Sequence, residues 1–262
     1  MSSSLSATMQ WFEMLATNKW AQSYAIAPDL SILRVDPNYG RKLFVQYACT
    51  RKGAPHALEV SAIKAIAECA RRGESPSRIS DHFMAYYHGS LLLSHNPLLD
   101  PRFATFDTPR IVDFVAQGDM RQAFLSCELN GTGHKVRALF LRDIAIRIGA
   151  ERRPQWQIEE YLFCQPIDVW AKTIAALLPK PPDHAVRLVA AQYSLSREDL
   201  GYARSVIHHS LQSGVSPLRV SQGMWFFARN VVADKTRLVR LVSTFDPQLL
   251  QAELDLLEGF LP

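Results

Sequence analysis

Apolar residues along this chain recur three and four positions apart, and no stretch sustains the period-two alternation of a half-buried strand. That pattern restricts the fold to an all-α architecture. The clearest case is 58–72, where Val60, Ile63, Ala67 and Ala70 share one helical face. The pattern stops at Gly73, with Arg71 and Arg72 in the last turn, where the negative end of the helix dipole favours cations. No internal repeat or low-complexity segment breaks the series.

Further helices follow from the same reading. A polar, frayed Met1-Ser-Ser-Ser start precedes a first helical pattern that begins around Trp11, Phe12, Met14 and Leu15 and ends before Pro28. Residues 28–55 are densely punctuated by proline, asparagine and glycine, with one helical piece around 43–48. An aromatic-rich helix is expected over 79–93. A short one over 110–116 is expected to be capped by Thr108-Pro109 and stopped near Gly118. Ser196 with Asp199 reads as a capping box, Ser216-Pro217 opens another helix, and 236–241 and 247–257 close the chain.

At 262 residues, the chain can bury one sizeable core or two small ones. It contains no apolar run long enough to span a bilayer and no signal-peptide pattern, so a cytoplasmic, nucleoid-associated monomer without membrane contact is expected. The net charge of +4 permits nucleic-acid binding without requiring it. The basic residues concentrate in 201–240, as Arg204, Arg219, Arg229, Lys235, Arg237 and Arg240 against Asp234 alone. Cys49, Cys69, Cys127 and Cys164 are too widely spaced for a zinc ribbon or a clustered iron–sulfur site. His82 with His88 and His208-His209 lack the spacing of metal ligands on a helix, so no metal site is expected.

The stretch 124–148 carries the strongest functional signal. Two apolar helical segments flank Asn130-Gly131-Thr132-Gly133-His134, and glycines at 131 and 133 allow a sharp turn into a helix whose first N–H groups lack intrahelical acceptors. Such a helix start is suited to a phosphate, although the glycines serve equally in a plain helix–helix turn. The second helix is expected to bury Val136, Leu139, Phe140, Ile144 and Ile148 on one face. Lys135 stands in its first turn, where the dipole disfavours a cation and another role is invited. Farther on, Gln165-Pro166-Ile167-Asp168-Val169-Trp170 places an acid after a proline at the start of another amphipathic helix.

GTGHK followed by PIDVW resembles the helix-hairpin-helix DNA glycosylase superfamily, which contains endonuclease III and the 8-oxoguanine glycosylases. The resemblance rests on about two dozen residues around these motifs, with a vaguer all-helical match elsewhere. It implies a central lobe over 55–157 bearing the hairpin, a second lobe formed by 1–54 with 158–262, and an active-site cleft between them. It also implies Lys135 and Asp168 as catalytic residues facing each other. Asn130, Gly131, Gly133 and His134 would bind DNA phosphate, with a monovalent cation able to bridge through the hairpin carbonyls. The partner would be double-stranded DNA carrying a modified base, such as an oxidised purine. No cysteine follows Cys164, so the iron–sulfur cluster of many endonuclease III relatives is expected to be absent. The interval from Lys135 to Asp168 is longer than in compact members of the superfamily.

In such chemistry a carboxylate stabilises positive charge developing at the sugar C1′. A lysine amine that attacks C1′ forms a Schiff base, which permits strand cleavage. Each assignment has a plainer counterpart. Asp168 reads also as an N-cap, and Lys135 as a phosphate-contacting lysine in a hairpin that binds DNA without catalysis. Trp225 and Phe226 read either as a pocket stacking on a flipped base or as core aromatics. A relative of the same fold that hydrolyses a modified nucleoside or nucleotide is the third functional class.

Overall fold

The computed structural model describes residues 3–20, 29–49, 56–89, 96–152, 156–181 and 190–258. Among them there are helices and turns and no strands, so the chain is all-α. Two compact units are present, one of residues 26–150 and one of 1–25 with 151–262. The hairpin-bearing unit thus begins earlier than the expected boundary at residue 55. Helix α3 (Pro37–Cys49), which follows the single turn α2 (Leu30–Leu33), packs on α4 (His56–Arg72) and brings this part of the chain into the same unit. Residues 28 and 50–55 of the punctuated stretch lie outside the described residues.

The first helix, α1 (Ser3–Leu15), starts well before Trp11 and runs into a π-helical turn at Ala16–Trp20. Leu5 and Met9 are buried in the same core cluster as Trp11 and Phe12, so the serines at 3 and 4 continue a helix anchored farther on rather than fraying.

In the unit of residues 26–150, α4 packs on α5 (Ile79–Tyr86), which stops before the expected 93; residues 90–95 lie outside the described residues. Next, α6 (Thr108–Gln117) is capped by Asp107, whose carboxylate accepts the Arg110 N–H, and not by Thr108. Thr108 is instead fully buried against Gly40, where an added Cβ would lie 1.8 Å from its Oγ1. Gly118 ends the helix in the left-handed conformation at φ 88°. Asp119 caps α7 (Met120–Ser126), and the hairpin then leads into α8 (His134–Arg147).

Helix α8 is buried nearly all round. Val136, Phe140 and Ile144 are in the core as their spacing predicts, whereas Leu139 and Ile148 are half-buried. Phe140 meets Phe44 edge-on at 5.1 Å, and Phe44 stacks obliquely on Phe106 at 4.5 Å. On another side Arg142 donates to Asp143 at 2.9 Å, and the Tyr47 hydroxyl donates to the other Asp143 oxygen at 2.6 Å. Charged residues occupy the interior here because they pair with one another.

The other unit is built on α1 and α12 (Pro217–Phe226), with α10 (Val169–Ala175) and α11 (Arg197–Gln212) against α12, and α9 (Ile158–Phe163) packed on α11. Beyond α12 a π-helical turn, Phe227–Val232, ends at Ala233 with φ 53°, and α13 (Lys235–Val242) and α14 (Pro247–Glu258) follow. Trp11, Phe12 and Phe227 form an edge-on aromatic trio with centroids 5.2–6.2 Å apart. Ser196 caps α11 by accepting the Asp199 N–H. The Asp199 carboxylate lies 2.7 Å from the Lys172 ammonium, so the acid of the expected capping box serves an ion pair between helices.

Helices α1 and α12 touch at Gly223, where a Cβ would sit 1.9 Å from the Phe12 carbonyl oxygen. Gly223→Ala must therefore push backbone from backbone, and a loss of about 3 kcal/mol or more is expected because overpacking here has no flexible side chain to absorb it. Chemical denaturation of the variant checks this, and a loss below about 1 kcal/mol would show that the contact can relax. No described helix is long and apolar enough to cross a membrane.

Candidate functional site

The glycine hairpin belongs to the unit of residues 26–150. Gly131 has φ 72°, a left-handed conformation that costs an L-residue about 1 kcal/mol or more. Gly133 differs: it is extended (φ −78°, ψ 177°), exposed, and forms the N-cap of α8. The residue between them, not singled out by the sequence motif, ties the loop. Thr132 is buried, its Oγ1 accepts the Leu129 N–H at 2.9 Å, and its hydroxyl reaches the Leu129 carbonyl at 2.6 Å and the Cys127 carbonyl at 3.2 Å. A cation bridging through these carbonyls would compete with that hydroxyl.

Asp100, far off in the chain, holds the hairpin from outside. Its carboxylate accepts the Asn130 N–H at 2.7 Å, caps its own short 3₁₀ helix at the Arg102 N–H, and takes a bidentate ion pair from the Arg102 guanidinium. The Arg102 side chain foremost, with the backbone N–H groups of Arg102 and Asn130, holds the Asp100 carboxyl below its usual range. A depressed carboxylate pKa adds stability that is present above the unfolded value and lost as pH falls through the folded one. The hairpin is therefore expected to loosen only below about pH 4. Asp100→Asn should remove that pH dependence from hydrogen exchange at 128–134, and an unchanged profile would discount the Asp100 tie.

Two hairpin residues point to different roles. His134 is buried, with its ring 5.4 Å from the Phe124 ring, and the Arg137 guanidinium lies 4.1 Å from the centroid of the same ring. The His134 imidazole thus packs between α7 and α8, which leaves its backbone as the group for a phosphate. Lys135 is exposed in the first turn of α8, and Asn130 is exposed at the turn.

Asp168 lies in the other unit and caps α10. One carboxylate oxygen accepts the N–H groups of Trp170 at 3.0 Å and Ala171 at 2.9 Å. The second accepts the indole N–H of Trp225 at 2.9 Å. The cap expected from sequence is present, and Trp225 is its cross-chain partner, fixing the carboxylate plane from α12. Phe226, adjacent in sequence, is buried in the core cluster with Phe227 and Val231. The structure brings Asp168 and Trp225 together, while Phe226 is a core aromatic. Nothing local links Asp168 to Trp225, so this pairing had no sequence signal.

Of the basic residues in 201–240, Arg219 pairs with the buried Glu151 at 3.0 Å and Arg237 pairs with Glu253. Arg229, Lys235 and Arg240 are exposed. No group of three or more metal-ligating side chains occurs among the described residues. His82 is 2.7 Å from the Glu74 carboxylate, and His209 is 2.8 Å from the Pro179 carbonyl. Cys69, Cys127 and Cys164 are buried, and burial pushes the Cys69 and Cys127 thiols up.

Comparisons with protein-family models, with curated proteins and with solved structures find no match to this chain.

The two glycines predict contrasting variants. Gly131→Ala is expected to cost about 1 kcal/mol through its left-handed backbone. A Cβ at Gly133 meets nothing within 4 Å, so Gly133→Val should fold with only the small loss of a poorer N-cap. If the hairpin backbone lies against phosphate, the Gly133→Val protein should bind all duplex sequences more weakly, because phosphate contacts position without reading bases. Unchanged duplex affinity would remove the hairpin from the DNA interface.

Proposed function

We propose that this protein is a DNA glycosylase with associated AP-lyase activity, which excises a modified base, an oxidised purine foremost, from double-stranded DNA. The observation that carries the reading is the hairpin: a left-handed Gly131, an exposed Gly133 capping α8, and an exposed Lys135 in the first turn of that helix. Asp168, clamped by two backbone N–H groups and the Trp225 indole, supports it as a carboxylate held in one orientation.

The chemistry assigns one role to each group. A base flipped from the stack departs as its bond to C1′ breaks, and the Asp168 carboxylate stabilises the positive charge that develops on the sugar. The Lys135 amine forms the new bond to C1′, losing a proton, and the leaving base gains one. Ring opening then gives the Schiff base, from which the strand is cleaved by β-elimination. The reading requires both side chains to reach one sugar.

A panel of duplexes, each with one modified base, tests the proposal when incubated with the protein and borohydride. Release of one base together with a covalent protein–DNA adduct is the expected result. Duplex binding with neither release nor adduct on any member would favour a non-catalytic hairpin protein. That second reading draws on one observation: both Asp168 oxygens already serve as hydrogen-bond acceptors within the fold. Hydrolysis of a free modified nucleoside or nucleotide, with no duplex binding, would favour the third class.

A further inference from the structure

A cavity of about 550 Å³ lies within the unit of residues 1–25 and 151–262, at the end of α10 opposite Asp168. This volume falls within the usual range for small-molecule sites. Ala175, Ala176, Leu178 and Pro181 form an apolar wall, and the other side is the face of α11 from Arg197 to Ser205. Lys180, Arg197 and Arg204 line it, with Glu198 as the one carboxylate among the described residues. Glu198 is engaged, accepting the Tyr202 hydroxyl at 2.8 Å. None of the three cations has an ion-pair partner among the described residues, whereas nearby Lys172 is paired with Asp199 and Arg219 with Glu151. Unneutralised cations beside low-dielectric walls focus a positive potential into the cavity.

Gly201 supplies an independent observation. It sits in the interior of a sixteen-residue helix, where glycine is less favourable than alanine. Packing does not explain it, since a Cβ there meets nothing within 4 Å; at Gly223 the same atom would strike the Phe12 backbone. Gly201 lies in the middle of the cavity-lining face of α11, between Arg197 and Arg204. The missing side chain leaves open the space over the helix that the cations flank.

We infer that this cavity binds a nucleotide, with Lys180, Arg197 and Arg204 on the phosphate and the apolar wall and Tyr202 ring against the base. Arginine forks match phosphate oxygens bidentately, and an apolar wall beside a tyrosine ring suits an aromatic heterocycle better than a sugar or a peptide. A free mononucleotide and the phosphorylated end of a DNA strand share this chemistry. The inference goes beyond the glycosylase reading and does not rest on it, because no residue of the cavity belongs to the hairpin or to the Asp168 clamp.

Calorimetric titration of the full chain tests it with adenosine 5′-monophosphate, adenosine, inorganic phosphate, and a duplex with or without a 5′-phosphate. Saturable binding of the monophosphate is expected, with adenosine and inorganic phosphate each roughly tenfold weaker or more, since each lacks half of the recognition. Arg204→Gln should weaken the monophosphate about fivefold or more. Gly201→Leu should abolish its binding while leaving Tm unchanged or higher, because leucine favours helix and enters open space. If the phosphorylated duplex alone responds to Arg204→Gln and Gly201→Leu, the strand end is the ligand and the inference stands. It is overturned if neither nucleotide source binds in a way that these two variants weaken, or if inorganic phosphate binds as tightly as the monophosphate. Base release by the same variants, measured in parallel, keeps the two readings apart, because loss of nucleotide binding leaves Lys135 and Asp168 in place.

Discussion

Replacing Asp168 with asparagine is expected to slow base release by roughly 10²–10³-fold, the usual effect of removing a preorganised group that stabilises transition-state charge. The structure separates this from a loss of fold. Asparagine retains an acceptor for the Trp170 and Ala171 N–H groups, so the cap of α10 survives. Its amide nitrogen, however, replaces the oxygen that accepts the Trp225 indole N–H, and two donors then face each other. A stability loss of about 1 kcal/mol is expected from that contact alone, because the tryptophan is only partly buried. Trp225→Phe supplies the control: it removes the donor, keeps the carboxylate charge, and should slow base release far less than Asp168→Asn. Equal slowing in both variants would mean that the orientation of Asp168 matters as much as its charge. Full activity in Asp168→Asn would leave it a helix cap and withdraw the main support for catalysis.

Lys135→Gln is expected to eliminate the borohydride-trapped adduct altogether, since no amine remains to form the Schiff base. Duplex binding should persist, slightly weakened by the loss of one positive charge, because Lys135 is exposed and the hairpin backbone is set by Gly131, Thr132 and Asp100. The free energy of unfolding should match the parent protein within about 0.5 kcal/mol, as for exposed positions generally. A variant that still releases base but no longer cleaves the strand would assign the glycosidic step to water and leave Lys135 the lyase alone. An adduct that survives the substitution would move the nucleophile to another amine.

Local chemistry was legible where one residue type satisfied one requirement. Helix 58–72 was readable from its helical spacing and arginine-rich end, and the observed helix is His56–Arg72, but it buries Leu58, Ala62, Ala65, Ile66 and Cys69, while Ala67 and Ala70 of the expected face are exposed. Ser216, Gly118 and Asp168 each fill the cap position their type suggests. Reading failed where adjacent residues could both serve. Asp107 and Thr108 are both good N-caps, and the choice fell to Asp107 because Thr108 is buried against Gly40. Asp199 could have completed a capping box, but the ammonium of Lys172 engages its carboxylate. In each case a contact from another helix chose between locally equivalent options.

Residue type and spacing were enough to establish that the chain is helical, where most of its helices begin and end, and that a glycine turn opens onto a helix bearing Lys135. Those properties arise from backbone conformation and from hydrogen bonds a few residues apart, which residue type and spacing control. Contacts between distant helices settled the rest: Asp168 is clamped by Trp225, the hairpin is tied by Asp100, His134 faces the core, and Gly201 opens a cation-lined cavity. These depend on which faces of distant helices meet, and that choice rests on close packing of whole surfaces rather than on any local pattern.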